Sequence, residues 1–290
     1  MRVAFVGLGT MGLPMAGRLV AAGHDVVAFD LDRARADALG ASVAVTASEA
    51  ARDSDAVLVS LPTPAAVEQV LRAIATSVRP GTLAVDLSTS PPRLSRLLAA
   101  ELSRLDLLDA PVSGGPRGAE AGTLTIMVGG DAPTFARALP LLEAMGRLVV
   151  RVGDHGAGQV AKLCNNLIAG ATMVAIAEAC GIAEQERIEP ATLYELLTAS
   201  TGDSRVLRNR YPLGGVDDAH PSSSDFAPLF ALDLIAKDMA LGLELAELKG
   251  AAAPVARAAL SRYREAQRDG HGALDYSAVY LSARPARAEE

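Results

Sequence analysis

Tryptophan is absent from this chain of 290 residues, and aromatic residues together make up only 3% of it. Basic residues are outnumbered by acidic ones, 27 to 34, which leaves a net charge of −7 and a pI of about 5.2. Nucleic-acid binders offer a basic face to phosphates and aromatic rings to unstacked bases. A chain poor in both is not expected to have a nucleic-acid partner. Cysteine is scarce as well: Cys164 and Cys180 lie in one apolar, helix-like stretch, with no second Cys or His at metal-ligand spacing. No metal site is expected, and both read as reduced core thiols of a cytosolic protein. Long apolar runs are also missing. The most apolar later segment, Leu167–Ala177, is too short to span a bilayer and is flanked by Asn165, Asn166 and Glu178. The amino terminus, Met1–Gly23, is apolar with an early Arg2, but its glycines at turn positions and Arg18 fit strand–turn–helix better than a signal peptide. The expectation is a soluble, cytoplasmic protein without a membrane partner.

What the chain does have is size and a globular composition, half hydrophobic and 21% charged, enough for one large domain or two ordinary ones. Short apolar runs recur through the first half: Val3–Val6, Val26–Phe29, Ala56–Val59 and Leu83–Val85, with later candidates at Leu107–Asp109, Leu124–Val128 and Leu148–Val152. Helix-like segments such as Met11–Ala22, Ala65–Ser77 and Pro92–Arg104 alternate with the early runs. Buried strands alternating with helices predict a doubly wound, mainly parallel sheet. After Gly153 the pattern changes to helices alone: a long one over Gln159–Gln185, then Pro190–Thr198, Leu232–Leu248 and Pro254–Asp269. Thr201–Asp225 reads as a long loop, and Ala283–Glu290 as a frayed end. The expected division is a nucleotide-binding domain over residues 1–153 and a helical substrate and dimerisation domain over 154–290.

Directly after the first strand stands Gly7-Leu8-Gly9-Thr10-Met11-Gly12, a G-x-G-x-x-G. Its first glycine permits the tight turn, its second lets the backbone approach a pyrophosphate, and its third lets helix and strand pack closely. The motif alone is a weak signal. Here it opens the first helix of a strand–helix–strand unit, and Asp30 closes the second strand 23 residues after Gly7, near the spacing of about 20 expected for an acid on the ribose hydroxyls. The fold class is therefore α/β, a Rossmann-type sheet followed by a separate all-helical domain. Asp30 favours NAD as cofactor, because a carboxylate there would repel the additional phosphate of NADP. NADP stays open through Arg33, which could pair with that phosphate.

Four motifs together resemble the β-hydroxyacid dehydrogenase family, which includes 3-hydroxyisobutyrate dehydrogenase and tartronate semialdehyde reductase. They are Gly7–Ala16, Asp109-Ala110-Pro111-Val112-Ser113-Gly114-Gly115, the run Gly156-Ala157-Gly158-Gln159-Val160-Ala161-Lys162-Leu163-Cys164-Asn165-Asn166, and Lys237-Asp238. They occur in the expected order over nearly the whole chain; the second and third are specific and the last is weak alone. The resemblance implies hydride transfer between NAD(H) and a short β-hydroxy acid or its semialdehyde, with Lys162 as catalytic acid and base. Physical reasoning agrees: Lys162 and Asn166 are four apart and share one face of an otherwise apolar helix, where burial lowers a lysine pKa toward the working pH and a second cation such as Lys237 would add to that effect. On the residues alone, a lysine snorkelling at a helix start fits as well.

The resemblance further implies that Asn166 and the Ser113-Gly114-Gly115 loop hold a carboxylate-bearing substrate, and that Leu61, Pro62, Thr89 and Lys237 line the cofactor. Without it, the glycine loop reads equally as an ordinary turn, and Lys237-Asp238 as a solvated surface pair. Phe226 and Phe230 are candidates to close the pocket around the substrate's R group. Arg117 is a candidate to select a charged tail, and His155 reads as a surface histidine. The apolar segments Asn166–Ala183 and Leu232–Leu248 point to a homodimer or homotetramer. An imine reductase shares the architecture, but in those relatives the position of Lys162 is commonly Asp or Tyr. Glyoxylate and succinic semialdehyde reductases are disfavoured by Asp30. A non-catalytic cofactor-binding module would be marked by loss of the lysine and by a basic extension.

Overall fold

The Val-, Ala- and Leu-rich runs of the first half become strands buried on both faces, which is why they read as continuous apolar stretches. In chain order they are β1 (Arg2–Val6), β2 (Asp25–Phe29), β3 (Ser42–Val43), β4 (Ala56–Val59), β5 (Thr82–Asp86), β6 (Leu105–Asp109), β7 (Val112–Ser113), β8 (Leu124–Gly129) and β9 (Gly146–Gly153). The computed structural model describes residues 1–283. All nine strands join one sheet in the order β3-β2-β1-β4-β5-β6-β8-β7, with β9 paired to β8. The ladder from β3 to β6 is parallel, β8 runs antiparallel to β6 and β7, and β9 is parallel to β8. The chain passes outward from β1 through β2 and β3, then returns to lay β4 on the other side of β1. That reversal is the place where open α/β sheets bind ligands, beyond the carboxyl ends of the strands.

Between the strands lie α1 (Gly12–Ala21), α2 (Arg33–Asp37), α3 (Ala47–Ala51), α4 (Pro64–Ala75), α5 (Pro92–Glu101), α6 (Gly115–Ala121) and α7 (Ala132–Glu143). Period-two alternation sorts the strand side chains between two cores. Phe5, Leu58 and Val85 pack with Met15 and Leu19 of α1 on one face; Ala4, Val57 and Ala84 pack with Val67, Leu71 and Ile74 of α4 on the other. Side-chain caps set the starts of α4 and α7: the Thr63 hydroxyl accepts from the Ala66 N–H ahead of α4, and the Asp131 carboxylate from the Thr134 N–H ahead of α7.

The remaining helices are α8 (Ala157–Gln185), α9 (Pro190–Thr198), α10 (Arg205–Arg210), α11 (Leu232–Leu248), α12 (Pro254–Arg268) and α13 (Val279–Ala283). Two compact units result, Met1–Lys162 and Leu163–Glu290, dividing inside α8. Of the end expected to fray, Ala283–Glu290, Ala283 closes α13 and the rest falls outside the described residues. Thr201–Asp225 is not the plain loop expected. Ser204 caps α10 through its Oγ and the Leu207 N–H, Ser222 donates its hydroxyl to the Tyr211 carbonyl, and a 3₁₀ turn forms at Pro221–Ser224. Six helical residues are too few to show a period of 3.6, so the serine cap was the only legible sign.

Helix α8 also corrects the expected shortness of the apolar segment. At 29 residues it is long and apolar enough to cross a membrane by length and composition. Its Met173, Ile176, Ala177 and Cys180 instead fill the core of the helical unit. Cys180 is a core thiol as expected, pushed up to about 12 by burial, whereas Cys164 is exposed. Glycines set the closeness of α8 and α11: a Cβ at Gly242 would lie 2.9–3.1 Å from three carbons of Leu167. Tyr263 of α12 donates its hydroxyl to the Gly170 carbonyl, 3.1 Å away. Buried Asp275 gathers the Leu229, Phe230 and Ser277 N–H groups and pairs with Arg210 at 3.3 Å. Gly242→Ala is expected to destabilise the fold by about 1–2 kcal/mol through overpacking against Leu167. Gly17→Ala on α1, where a Cβ meets nothing within 4 Å, is expected to stabilise it by about 0.4–1 kcal/mol. Thermal unfolding of the two variants beside the parent protein checks both signs.

Candidate active site

The three glycines after β1 do different work. Gly7 has φ +93°, and a Cβ there would lie 2.3 Å from the Ser60 carbonyl oxygen; a Cβ at Gly12 would lie 1.8 Å from the Gly7 carbonyl oxygen. Those two glycines let the loop close on itself and on β4. Gly9 is unlike them: the only atom near a Cβ would be Arg35 Nη1, at 3.9 Å. Its backbone borders open space, which fits a loop that lets a pyrophosphate approach.

Asp30, half-buried at the end of β2, accepts the Leu8 N–H at 2.6 Å on one oxygen and the Asp32 N–H at 2.8 Å on the other. A carboxylate has about four acceptor positions, so lone pairs remain for hydroxyl donors. Arg33 does not turn inward. It pairs with Asp37 at 3.6 Å on the exposed side of α2, while Arg35, 3.3 Å from Asp32, reaches toward Gly9. The cation over the glycine loop is therefore Arg35, which sequence reasoning missed, because the direction of a side chain on a five-residue helix cannot be read from spacing.

The other strand ends meet around the same crevice. Leu61 lays its side chain against Gly7 and donates its N–H to Ser88 Oγ at 2.9 Å, beside exposed Pro62. The Ser88 N–H donates to Asp86 Oδ1 at 2.9 Å. Half-buried Thr89 sits between Ser88 and Ser90, both of which hydrogen-bond the side chain of Gln159. After β6, Ser113 is half-buried and is followed by Gly114 and Gly115 with φ +142° and +67°; a Cβ on Gly115 would meet nothing within 4 Å. Asp109 is buried and accepts the Gly156 and Gln159 N–H groups at 2.6 and 3.0 Å. Burial pushes its carboxyl above the ordinary value, and these backbone donors pull it back. His155 is not a free surface residue, since its Nε2 lies 2.9 Å from the Leu107 carbonyl oxygen. Arg117 is exposed on α6.

Lys162 is 8% exposed, and Asn166, one turn further along α8, is 3% exposed. Within the helical unit, Asn166 Nδ2 donates to Asp238 Oδ2 at 2.6 Å, and its Oδ1 accepts from Asn165 at 2.9 Å. Lys237 Nζ lies 3.2 Å from Asp238 Oδ1. Lys237-Asp238 is thus no solvated pair: Asp238 is 2% exposed and fixes the Asn166 amide. Of the two phenylalanines suggested for the substrate pocket, Phe226 is buried in the helical core and Phe230 is half-buried edge-on to Tyr276, 6.0 Å between ring centroids. One further sequence signal was overlooked. Of the 27 basic residues only Lys162, Lys237 and Lys249 are lysines, and two of these three are the ones the motifs single out.

Comparison with known proteins adds a second line. Residues 2–153 match the family described as the NAD binding domain of 6-phosphogluconate dehydrogenase. Residues 156–282 match the one described as NAD-binding of NADP-dependent 3-hydroxyisobutyrate dehydrogenase. An NAD-dependent L-serine dehydrogenase of Pseudomonas aeruginosa is 40% identical over 96% of both chains. A 2-(hydroxymethyl)glutarate dehydrogenase of Eubacterium barkeri is 36% identical over 96% of this chain and 93% of its own. Among solved structures, a Mycobacterium tuberculosis 3-hydroxyisobutyrate dehydrogenase with L-serine superposes with a TM-score of 0.89 at 38% identity, covering 98% of this chain and 99% of that one.

Proposed function

This chain belongs to the 3-hydroxyisobutyrate dehydrogenase family, and on that premise we propose that Lys162 is the acid–base group with which it oxidises a short β-hydroxy acid to the corresponding semialdehyde. It is an NAD-binding oxidoreductase acting on a CH–OH group. The observation that carries the assignment is a lysine buried to 8% exposure, one turn after a fully buried glutamine on α8. An arginine could not serve, since its guanidinium does not release a proton in the working range.

NAD, when bound, would supply the hydride acceptor for oxidation of the substrate's carbinol carbon. Lys162 Nζ takes the proton of the substrate hydroxyl in the oxidative direction and returns it to the carbonyl oxygen in the reductive one. Ser113 Oγ and the backbone of Gly114 and Gly115 bind the carboxylate, as donors without charge of their own. Asn166, its amide fixed by Asp238, holds the substrate oxygen. The Gly7–Gly12 loop takes the pyrophosphate and Asp30 the ribose hydroxyls, with Leu61, Pro62, Thr89 and Lys237 along the rest of the cofactor. The three compounds in the relatives' names share one pattern, HO–CH₂–CHR–COO⁻, and differ only in R. The substrate we propose has that pattern, a primary alcohol β to a carboxylate.

The helical part of the chain, residues 154–290, also makes the protein a homodimer or homotetramer. Cys164, Ile168, Ala175 and Ile182 are exposed along one side of α8 together with Glu178, the two isoleucines at 69% each. A repeating apolar stripe of this kind is what a symmetric helix–helix contact buries.

Lys162→Ala is expected to lower turnover about 100-fold or more while NAD affinity stays within a few-fold, read from steady-state kinetics beside direct titration of NAD. Normal turnover would remove Lys162 from the mechanism. NAD is expected to outperform NADP by about one to two orders of magnitude in kcat/KM, since Asp30 would face the extra phosphate with like charge. Asp30→Ser should narrow that ratio, and Arg35→Ala should widen it, by weakening NADP alone. Light scattering at micromolar concentration should give at least twice the chain mass of 29.8 kDa; a monomer would contradict the shared α8 surface.

A further inference from the structure

Gln159 has no solvent exposure, yet its side chain ends in a polar amide. Both ends are used. Its Oε1 accepts the Ser90 N–H at 2.9 Å and its Nε2 donates to the Ser88 carbonyl at 2.9 Å, so it closes a ring across the loop that carries Thr89. Its own backbone N–H, in the first turn of α8, donates to Asp109 Oδ2, while Asp109 Oδ1 takes the Gly156 N–H. Asp109 thereby does for α8 what an N-cap side chain ordinarily does for its own helix, but from the end of β6. Room for this carboxylate depends on two glycines. A Cβ at Gly129 would lie 2.6 and 2.7 Å from its oxygens, and one at Gly158 would lie 2.7 Å from the Asp109 carbonyl oxygen and 2.3 Å from that of Met127.

The first turn of α8 is therefore tied to two strand ends, to β6 through Asp109 and to the loop after β5 through Gln159. Lys162 follows Gln159 by three residues, on the same side of the helix. We propose that Gln159 and Asp109 are positioning residues of the dehydrogenase reaction: together they set the height and rotation of Lys162 relative to the loop that carries Thr89. This rests on Lys162 being the acid–base group. Two further observations separate positioning from mere support of the cofactor loops. The loop after β5 has its own bonds, from the Ser88 N–H to Asp86 and from the Leu61 N–H to Ser88 Oγ, neither of which involves Gln159. Breaking the Gln159 ring leaves those in place and removes one of the two ties on the helix that holds the lysine. Proton transfer is steep in donor–acceptor distance, so a small displacement of Lys162 costs turnover more than binding.

The test compares Gln159→Met, which keeps length and removes both polar ends, with Asp109→Asn, in the parent protein and in Lys162→Ala. Thermal unfolding and NAD titration accompany kcat and KM for NAD and for the β-hydroxy acid that serves as substrate. In the parent background Gln159→Met should lower kcat about 10- to 100-fold, with the NAD dissociation constant changed less than about threefold. In Lys162→Ala the same substitution should cost nothing further, because there is no lysine left to position. Equal losses in both backgrounds, or a rise in the NAD constant with kcat intact, would overturn the inference in favour of a structural role. Should Gln159→Met fail to fold, Asp109→Asn is read by the same two-background comparison. Full turnover in Lys162→Ala is a different failure: it removes the acid–base assignment itself.

Discussion

Gly158 lies so close to the end of the sheet that a single methyl would collide with two carbonyl oxygens, of Met127 and of Asp109. This close approach fixes where α8 begins, and much else follows from it. The helix must start beside the carboxyl end of β6, its first N–H groups must be satisfied there, and a buried carboxylate is the group that satisfies them. Burying Asp109 is unfavourable for its charge, as the upward push on its carboxyl reflects. The helix N-terminus offsets this, since its unpaired donors and its dipole favour an anion. Within the unit Met1–Lys162 the first turn of α8 is thereby held, with Gln159 in that turn and Lys162 three residues further on.

The same use of carboxylates recurs through the nucleotide-binding half. Asp30 holds the Leu8 and Asp32 N–H groups, Asp86 the Ser88 N–H, Asp131 the Thr134 N–H. An acidic chain with a net charge of −7 thus places aspartates at the strand ends as staples for backbone donors. Net charge says little about such a crevice. The local field comes from oriented N–H groups and a few cations, and these are what a dinucleotide and a carboxylate substrate would meet.

Much of this was legible in the sequence, for identifiable reasons. The strands of the parallel sheet appear as short apolar runs because both their faces are buried, and α4, α9 and α11 are visible because caps or a 3.6 period mark them. The G-x-G-x-x-G and Asp30 could be placed because they sit next to such elements. Short elements were lost: α2, α3, α6, α10 and the two-residue strands are decided by packing, with too few residues for a period. Side-chain direction was lost too. Arg33 and Arg35 are indistinguishable as letters, yet one pairs outward with Asp37 and the other leans over Gly9. Gln159 and Asp109 were in view as members of motifs, but their hydrogen-bond partners lie 69 and 47 residues away along the chain.

Lysine usage connects composition to chemistry. All but three of the basic residues are arginines, so most of the positive charge is carried by a group that stays protonated and forms planar, forked hydrogen bonds. That group suits Arg35 beside the glycine loop, or Arg210 pairing with Asp275 and stacking on Tyr276 at 4.8 Å. It does not suit a site where a proton must leave. The reaction proposed for Lys162 needs a cation that can give up its proton on the buried face of α8, and an arginine there would not release one. At 237 the neighbour is a buried aspartate already engaged with Asn166, so a forked guanidinium would compete for the oxygen that sets the amide. A point charge leaves that bond alone. Lys249, at the exposed end of α11, answers to no such demand.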